Sequence, residues 1–344
     1  MRAFRISGTD EASVQDVGTP VPSSGELLLR VGGAGLCHSD VQLMSIAGFL
    51  GGSLPFTGGH EIAGWLDRLA SDVSGVKEGA AVAVYGLVGC GGCGGCKACA
   101  EGKDQLCPAG PQAIGVTRDG GLAEFVVVPA RNVIDIGGLD VIQAATMTDA
   151  GVTAYSAVVR AVDLLVPGAT ALVIGIGGLG HLAVQILAAL TPARIVAVDV
   201  APDALHLARA VGAQDTVLAS DTTLGDLEGL VGARGVDVVF DFVANDATLS
   251  LGAHAVKKGG AMCLTGLGHG TLAVGTGFDS PIPPEVRVER TFSGSRSDLI
   301  HTIELAKSGR LRATVSRHEL DDVPALLDSL KRGGEIKGRA VVVP

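Results

Sequence analysis

The run "TALVIGIGGLG", residues 170–180, limits the fold more than any other stretch of this chain. "TALVI" reads as a buried strand. After it, Leu179, Leu182, Ala183, Ile186, Leu187 and Leu190 recur at helical spacing. A strand, a glycine turn and a helix therefore follow one another without a gap. Each glycine has a task in such a turn. Gly175 makes the bend, Gly177 lets backbone approach a pyrophosphate, and Gly180 lets helix and strand pack closely. Gly178 and Leu179 complete the loop, and the helix start offers free N–H groups to phosphate. The next strand, "ARIVAVDV", ends near Asp199. Its carboxylate can accept hydrogen bonds from a ribose and repels a 2′-phosphate, which favours NAD over NADP. Ala204 brings no cation to the ribose.

The surrounding pattern extends this unit. "PDALHLARAVGA" is a short helix ended by Gly212, and "GVDVVFDFV" and "GGAMCLTGL" are buried-type strands. Alternation of this kind builds a parallel, doubly wound sheet. Earlier residues differ. "GELLLRVGGAGLC", "GAAVAVYG" and "GGLAEFVVVPARNVIDI" read as compact strands between glycines, with little helical periodicity. After residue 295, "SDLIHTIELAKSGRL" and "DDVPALLDSLKRGG" are amphipathic helices, and "GRAVVVP" closes as a strand. At ~150 residues per domain, 344 residues suggest two domains. The reading places a β-rich domain at 1–150, completed by 296–344, around a sheet domain at 151–295.

Composition excludes several classes. A formal charge of −10 with no basic block argues against nucleic acid and anionic membrane surfaces. A mean hydropathy of +0.43 argues against disorder. Residues 164–193 carry no charged side chain, but two prolines and five glycines argue against a membrane span. The first residues lack the apolar core of a signal peptide, so a cytoplasmic setting with reduced thiols is expected.

Five of the seven cysteines fall between residues 90 and 107: Cys90, Cys93, Cys96, Cys99 and Cys107. Clustered thiolates suit tetrahedral Zn²⁺, although iron–sulfur clusters also use four cysteines at short spacing. Two sets of four fit: Cys93, Cys96, Cys99 and Cys107, or Cys90, Cys93, Cys96 and Cys107. Spacing does not choose. A second ligand group is scattered: Cys37, His38, Ser39 and Asp40 in "AGLCHSD", His60 and Glu61 in "GGHEIAG", and Asp149 in "TDAGVTAY". Cysteine, histidine and carboxylate can hold a zinc with one position left open.

These motifs, in this order, make the chain resemble the zinc-dependent medium-chain alcohol dehydrogenases, most closely the bacterial NAD-dependent secondary-alcohol enzymes. The resemblance covers essentially the whole chain. It implies an α/β protein with a GroES-like β-rich catalytic domain and a Rossmann cofactor domain. It implies two zinc ions per chain. The structural one falls to Cys93, Cys96, Cys99 and Cys107, leaving Cys90 extra. The catalytic one falls to Cys37, His60 and Asp149, where many relatives have cysteine in place of the aspartate. Glu61 either binds that zinc when water leaves or stands behind the ligands. Ser39 would relay the alcohol proton, and His38 would face the cofactor phosphates. Gln42 stands where some relatives end the relay on histidine, and Lys337 where relatives place a basic residue near the pyrophosphate. In "TFSGSRSDL", Phe292 keeps an aromatic and Ser293 replaces a larger one, implying a roomy pocket with Ser45, Ile46, Phe49, Leu50 and Leu87.

The expected activity is interconversion of alcohols with ketones or aldehydes through NAD, in a homodimer or homotetramer. A polyol or amino-alcohol dehydrogenase of this fold is the alternative within enzymes. A zinc protein that only senses NAD(H) is the alternative outside them, and it would have no need of Ser39.

Overall fold

The computed structural model describes every residue except 47–52, 91–94, 111, 221–222, 233 and 333–337. The chain divides into two compact units, residues 1–152 with 294–344, and residues 153–293.

The first unit is built on a seven-stranded sheet. Its path runs Val133–Asp135, Ala81–Val84, Glu61–Leu69, Glu26–Leu36, Arg339–Val342 and Val315–His318, and Phe125–Pro129 also pairs with Glu26–Leu36. The pairing is antiparallel except between the last two strands of the path, which are parallel. Alternate side chains of these strands point inward. Leu27, Leu29, Val31, Ile62, Leu66, Val84, Val126, Val128 and Val342 form an aliphatic core with Phe4 and Leu122. The register sets Gly35 opposite Glu61 on one side and Val341 on the other. Residues from both ends of the chain therefore meet at one place in the sheet.

Helices in this unit exceed what the sequence pattern suggested. His38–Ser45 is a helix, and Val141–Thr146 runs through a π-turn at Met147–Gly151 to Val152, where the helix Val152–Val159 of the second unit begins. The first is short and buries only Asp40, so no apolar stripe announces it.

The second unit is a six-stranded, wholly parallel sheet ordered Asp215–Leu218, Arg194–Asp199, Thr170–Ile174, Val236–Asp241, Val256–Leu264 and Arg287–Arg290. The first strand in sequence lies third, so the order reverses beside it, which is where open α/β sheets bind ligands. Leu172, Ile174, Val196, Val198, Val239 and Met262 fill its core. The helix Gly180–Leu190 follows the Thr170–Ile174 strand. The uncharged stretch is thus a strand, a turn and a helix. Among the described residues no helix is long and apolar enough to cross a membrane.

Candidate active site and metal centres

Cys37, His60, Glu61 and Asp149 converge in the first unit. Each offers a ligand atom, and these atoms lie within 4.8 Å of one another. Each arrives by a different local device. Cys37 ends the Glu26–Leu36 strand and starts the His38–Ser45 helix, and its N–H donates to Asp40 Oδ2 at 2.8 Å. His60 follows Gly59, whose φ of +91° suits glycine; a Cβ there would lie 2.7 Å from the Leu122 nitrogen. Asp149 sits in the π-turn, where an extra residue turns side chains off the helical period. Thr148 ties that turn to the neighbouring strand: its hydroxyl accepts from the Ile62 N–H at 3.0 Å and donates to the Ala145 carbonyl at 2.8 Å.

His60 is fixed at both nitrogens. Nδ1 lies 3.0 Å from Asp40 Oδ1, while Nε2 lies 3.1 Å from Ser39 Oγ and 3.5 Å from Asp149 Oδ2. Burial pushes the imidazolium down, but the charge of Asp40 and hydrogen bonds to Asp149, Asp40 and Cys37 lift it well above its ordinary 6.5. Glu61 is fully buried and forms an ion pair with the buried guanidinium of Arg339. Its side chain lies across Gly35, where a Cβ would come within 2.0 Å of Oε2. That oxygen has no hydrogen-bond partner among the described residues.

The second cluster lies in the same unit. The sulfurs of Cys90, Cys96, Cys99 and Cys107 lie within 4.8 Å of one another. Cys96 caps the helix Lys97–Ala100 and accepts from the Cys99 N–H at 3.4 Å. A backbone hydrogen bond from Cys90 lowers the Cys99 thiol pKa, but burial and the sulfurs of Cys96, Cys90 and Cys107 outweigh it and push it well up. A cation among the sulfurs would favour the thiolate, because metal binding requires the deprotonated ligand. Cys93 lies outside the described residues.

In the second unit Gly175 has a φ of +85°, and no heavy atom lies within 4 Å of the Cβ position of Gly177. Backbone there is open to a ligand. At Gly180 a Cβ would fall 1.8 Å from the Gly175 carbonyl oxygen. Asp199 closes the loop from the next strand. Its Oδ2 accepts from the Ile176 N–H at 2.7 Å and its Oδ1 from the Ala201 N–H at 2.8 Å.

Known proteins agree with this pair of units. The family described as "Alcohol dehydrogenase GroES-like domain" matches residues 23–138, and "Zinc-binding dehydrogenase" matches residues 178–308. The NAD-dependent alcohol dehydrogenase of Saccharolobus solfataricus is 33% identical over 100% of both chains. The chain belongs to the zinc-dependent medium-chain alcohol dehydrogenases. Among solved structures, the alcohol dehydrogenase of Aeropyrum pernix matches with a TM-score of 0.92 at 34% identity over the full length of both chains. An acetophenone reductase from Geotrichum candidum, solved in complex with NAD, matches with a TM-score of 0.84 at 29% identity, over 100% of this chain and 97% of that one.

The residues of this alcohol dehydrogenase fit the family's cofactors, zinc and NAD. A sulfur, an imidazole nitrogen and carboxylate oxygens are the donor types zinc takes, and Cys37, His60, Glu61 and Asp149 offer them together. The sequence reading named Asp40 in the ligand group but gave it no role of its own: it orients His60 and caps its helix, and a carboxylate three residues after a helix-starting Cys37 was the available signal. Other site residues escaped that reading. Arg339, Gly35 and Thr148 act through sheet register and left no local signal. His181 is buried, its pKa is lowered by burial, and its Nδ1 lies 2.7 Å from the Gly177 carbonyl, which holds the loop from behind. Of the residues expected to line a pocket, Leu87 is buried and Ile46 and Ser45 are exposed in the first unit. Phe292 and Ser293 end the second unit, where Ser293 has a φ of +50°. Phe49, Leu50 and Lys337 lie outside the described residues. His38 is exposed.

The glycine turn carries a direct test. Gly180→Ala puts its Cβ against a backbone oxygen that no rotamer change can move. Overpacking of this kind costs about 1–3 kcal/mol, so NADH affinity should fall about 10- to 100-fold. Fluorescence titration with NADH reads this, with zinc content as the control that should not move.

Proposed function

We propose that this alcohol dehydrogenase oxidises secondary and aromatic alcohols to ketones with NAD, and runs the reverse reduction, on a catalytic zinc held by Cys37, His60 and Asp149. The observation that carries the reading is the fixed His60 ring, oriented by Asp40 and facing Asp149, with Cys37 alongside. When bound there, zinc polarises the alcohol oxygen and lowers its pKa. The chain's own residues do the rest. Ser39 takes the alcohol proton at Oγ, from a half-buried position beside His60. Gln42 cannot carry that proton as histidine does, so it leaves through ribose or water. Asp199 accepts from the adenosine ribose, the Gly175–Gly180 turn receives the pyrophosphate, and His38 and Lys337 steady it. Cys96, Cys99 and Cys107 belong to a second, structural zinc with no open position.

Ser293, small where an aromatic would narrow the pocket, supports bulky substrates. Polyols and amino alcohols bring extra hydroxyls or a charge, which fit less well with the apolar lining that the family resemblance implies. Arg287–Arg290 is the edge strand of its sheet and is mostly exposed, which supports pairing with a second copy into a homodimer or homotetramer. The thiol-rich, acidic chain suits the cytoplasm.

The test is NADH formation across a panel of small, secondary and aromatic alcohols, with and without a strong chelator. Bulky secondary alcohols should turn over best. Chelation should abolish the reaction, and added zinc should restore it. A folded, zinc-loaded protein inert toward every alcohol and ketone would sink the proposal.

A further inference from the structure

Asp241 ends the strand Val236–Asp241, which lies next to Thr170–Ile174 in the parallel sheet. These two strands bound the crevice where the sheet order reverses, and the register sets Asp241 beside Ile174, the residue before Gly175. Asp241 is fully buried. Its Oδ1 accepts from the N–H groups of Val243 at 2.9 Å and Ala244 at 2.8 Å. Among the described residues its Oδ2 has no hydrogen-bond partner. Burial raises its pKa, while the N–H groups of Ala244 and Val243 and the Thr248 hydroxyl lower it; no cation takes part.

The turn that Oδ1 holds is packed on two sides. Ala244 has a φ of +56°, a left-handed conformation uncommon outside glycine. A Cβ at Gly175 would fall 2.5 Å from Val243 Cγ2. A Cβ at Gly266 would fall 2.2 Å from the Val243 carbonyl carbon, and one at Gly268 2.5 Å from the Val243 oxygen. The Asp241 carbonyl accepts from the N–H groups of Thr265 and Gly266 at 2.9 Å and 3.0 Å. The carboxyl thus fixes a turn wedged between the glycine loop and the exit of the Val256–Leu264 strand.

Sheet order says which half of a dinucleotide passes here. Asp199, on Arg194–Asp199, takes the adenosine ribose, and the turn after Thr170–Ile174 takes the pyrophosphate. The nicotinamide half continues the same way, toward the ends of Val236–Asp241 and Val256–Leu264. The oxidised ring carries a positive charge and the reduced ring carries none. A buried carboxylate is little screened by salt, so it attracts the first and not the second.

We propose that Asp241 is a positioning residue that sets the preference between NAD⁺ and NADH: Oδ1 holds the turn at Val243 and Ala244, and the unpaired charge favours the oxidised nicotinamide. The proposal rests on the cofactor placement given above.

The experiment is calorimetric titration of the full, zinc-loaded chain with NAD⁺ and with NADH, for the wild type, Asp241→Asn and Asp241→Ala. Asparagine keeps an acceptor for both N–H groups and removes the charge. Attraction between unit charges at an effective dielectric of ~20 is worth about tenfold in affinity out to roughly 12 Å, so Asp241→Asn should weaken NAD⁺ about 3- to 10-fold and leave NADH within about twofold. Asp241→Ala also removes the anchor of the turn, so both affinities should fall. Equal loss of NAD⁺ and NADH in Asp241→Asn, or loss of neither, overturns the proposal. If that variant fails to fold, Asp241→Ser, whose hydroxyl accepts an N–H without charge, is read by the ratio of the two affinities, and an unchanged ratio overturns it. A wild type that binds neither cofactor sinks the cofactor placement itself, a result distinct from any seen with the variants.

Discussion

Arg339→Met should destabilise the first unit by about 3–5 kcal/mol, the range for removing one partner of a buried ion pair. Glu61 has no exposure and Arg339 only 5%, so water cannot replace the lost guanidinium. Methionine fills much of the volume but leaves a carboxylate alone in an apolar sheet. Glu61 cannot swing out, because its side chain lies across Gly35 and is bounded by paired strands on either side. The double variant Glu61→Gln with Arg339→Met should recover most of the loss, since it leaves no orphaned charge. Urea midpoints of the zinc-loaded wild type, the single and the double variant measure this. A single variant costing less than about 1 kcal/mol would mean the pair is solvated after all. The same series bears on Glu61 as a metal ligand. Excess zinc should soften the Arg339→Met penalty if the freed carboxylate turns to the metal, and leave it untouched if Glu61 only stands behind the ligands.

That pair also marks the limit of what a sequence discloses. The cofactor unit was legible because its signals are local. "TALVI", the glycine turn and the helical spacing from Leu179 to Leu190 lie within one supersecondary unit, and Asp199 ends the next strand. The catalytic ligands are 23 and 89 residues apart, from Cys37 to His60 and from His60 to Asp149. Sheet pairing and a π-turn bring them together, and periodicity records neither, so those positions followed only from family resemblance. The helix bearing His38 and Ser39 was missed for a related reason: one buried residue in eight gives no stripe. Arg339 needed still more, namely the register that lays the last strand beside the Glu26–Leu36 strand. For the cysteines, spacing offered two sets; among the described residues the fold groups Cys90, Cys96, Cys99 and Cys107, and Cys93 lies outside those residues.

His60→Ala should cost the largest factor of all in activity, on the order of 10³ or more in kcat/KM. Metal polarisation of a reacting oxygen is worth several kcal/mol, and each ~1.4 kcal/mol is tenfold. The reasoning starts from charge. Asp40, Glu61 and Asp149 surround one imidazole and one thiol, and Arg339 neutralises only Glu61. This surplus of negative charge raises the His60 pKa in the metal-free geometry and favours a divalent cation among the same donors. Alanine removes the nitrogen donor and strands Asp40, whose Oδ1 loses its partner while Oδ2 stays on the Cys37 N–H. Cys37 and Asp149 then remain as two donors where a catalytic site needs three. Zinc content should fall by one ion per chain, the remaining ion being the one in the cysteine lobe. NADH affinity should not change, because the glycine turn and Asp199 belong to the other unit. Loss of turnover with both zinc ions retained would remove the metal role from His60. Loss of NADH binding would instead mean that the two units respond to this site as one.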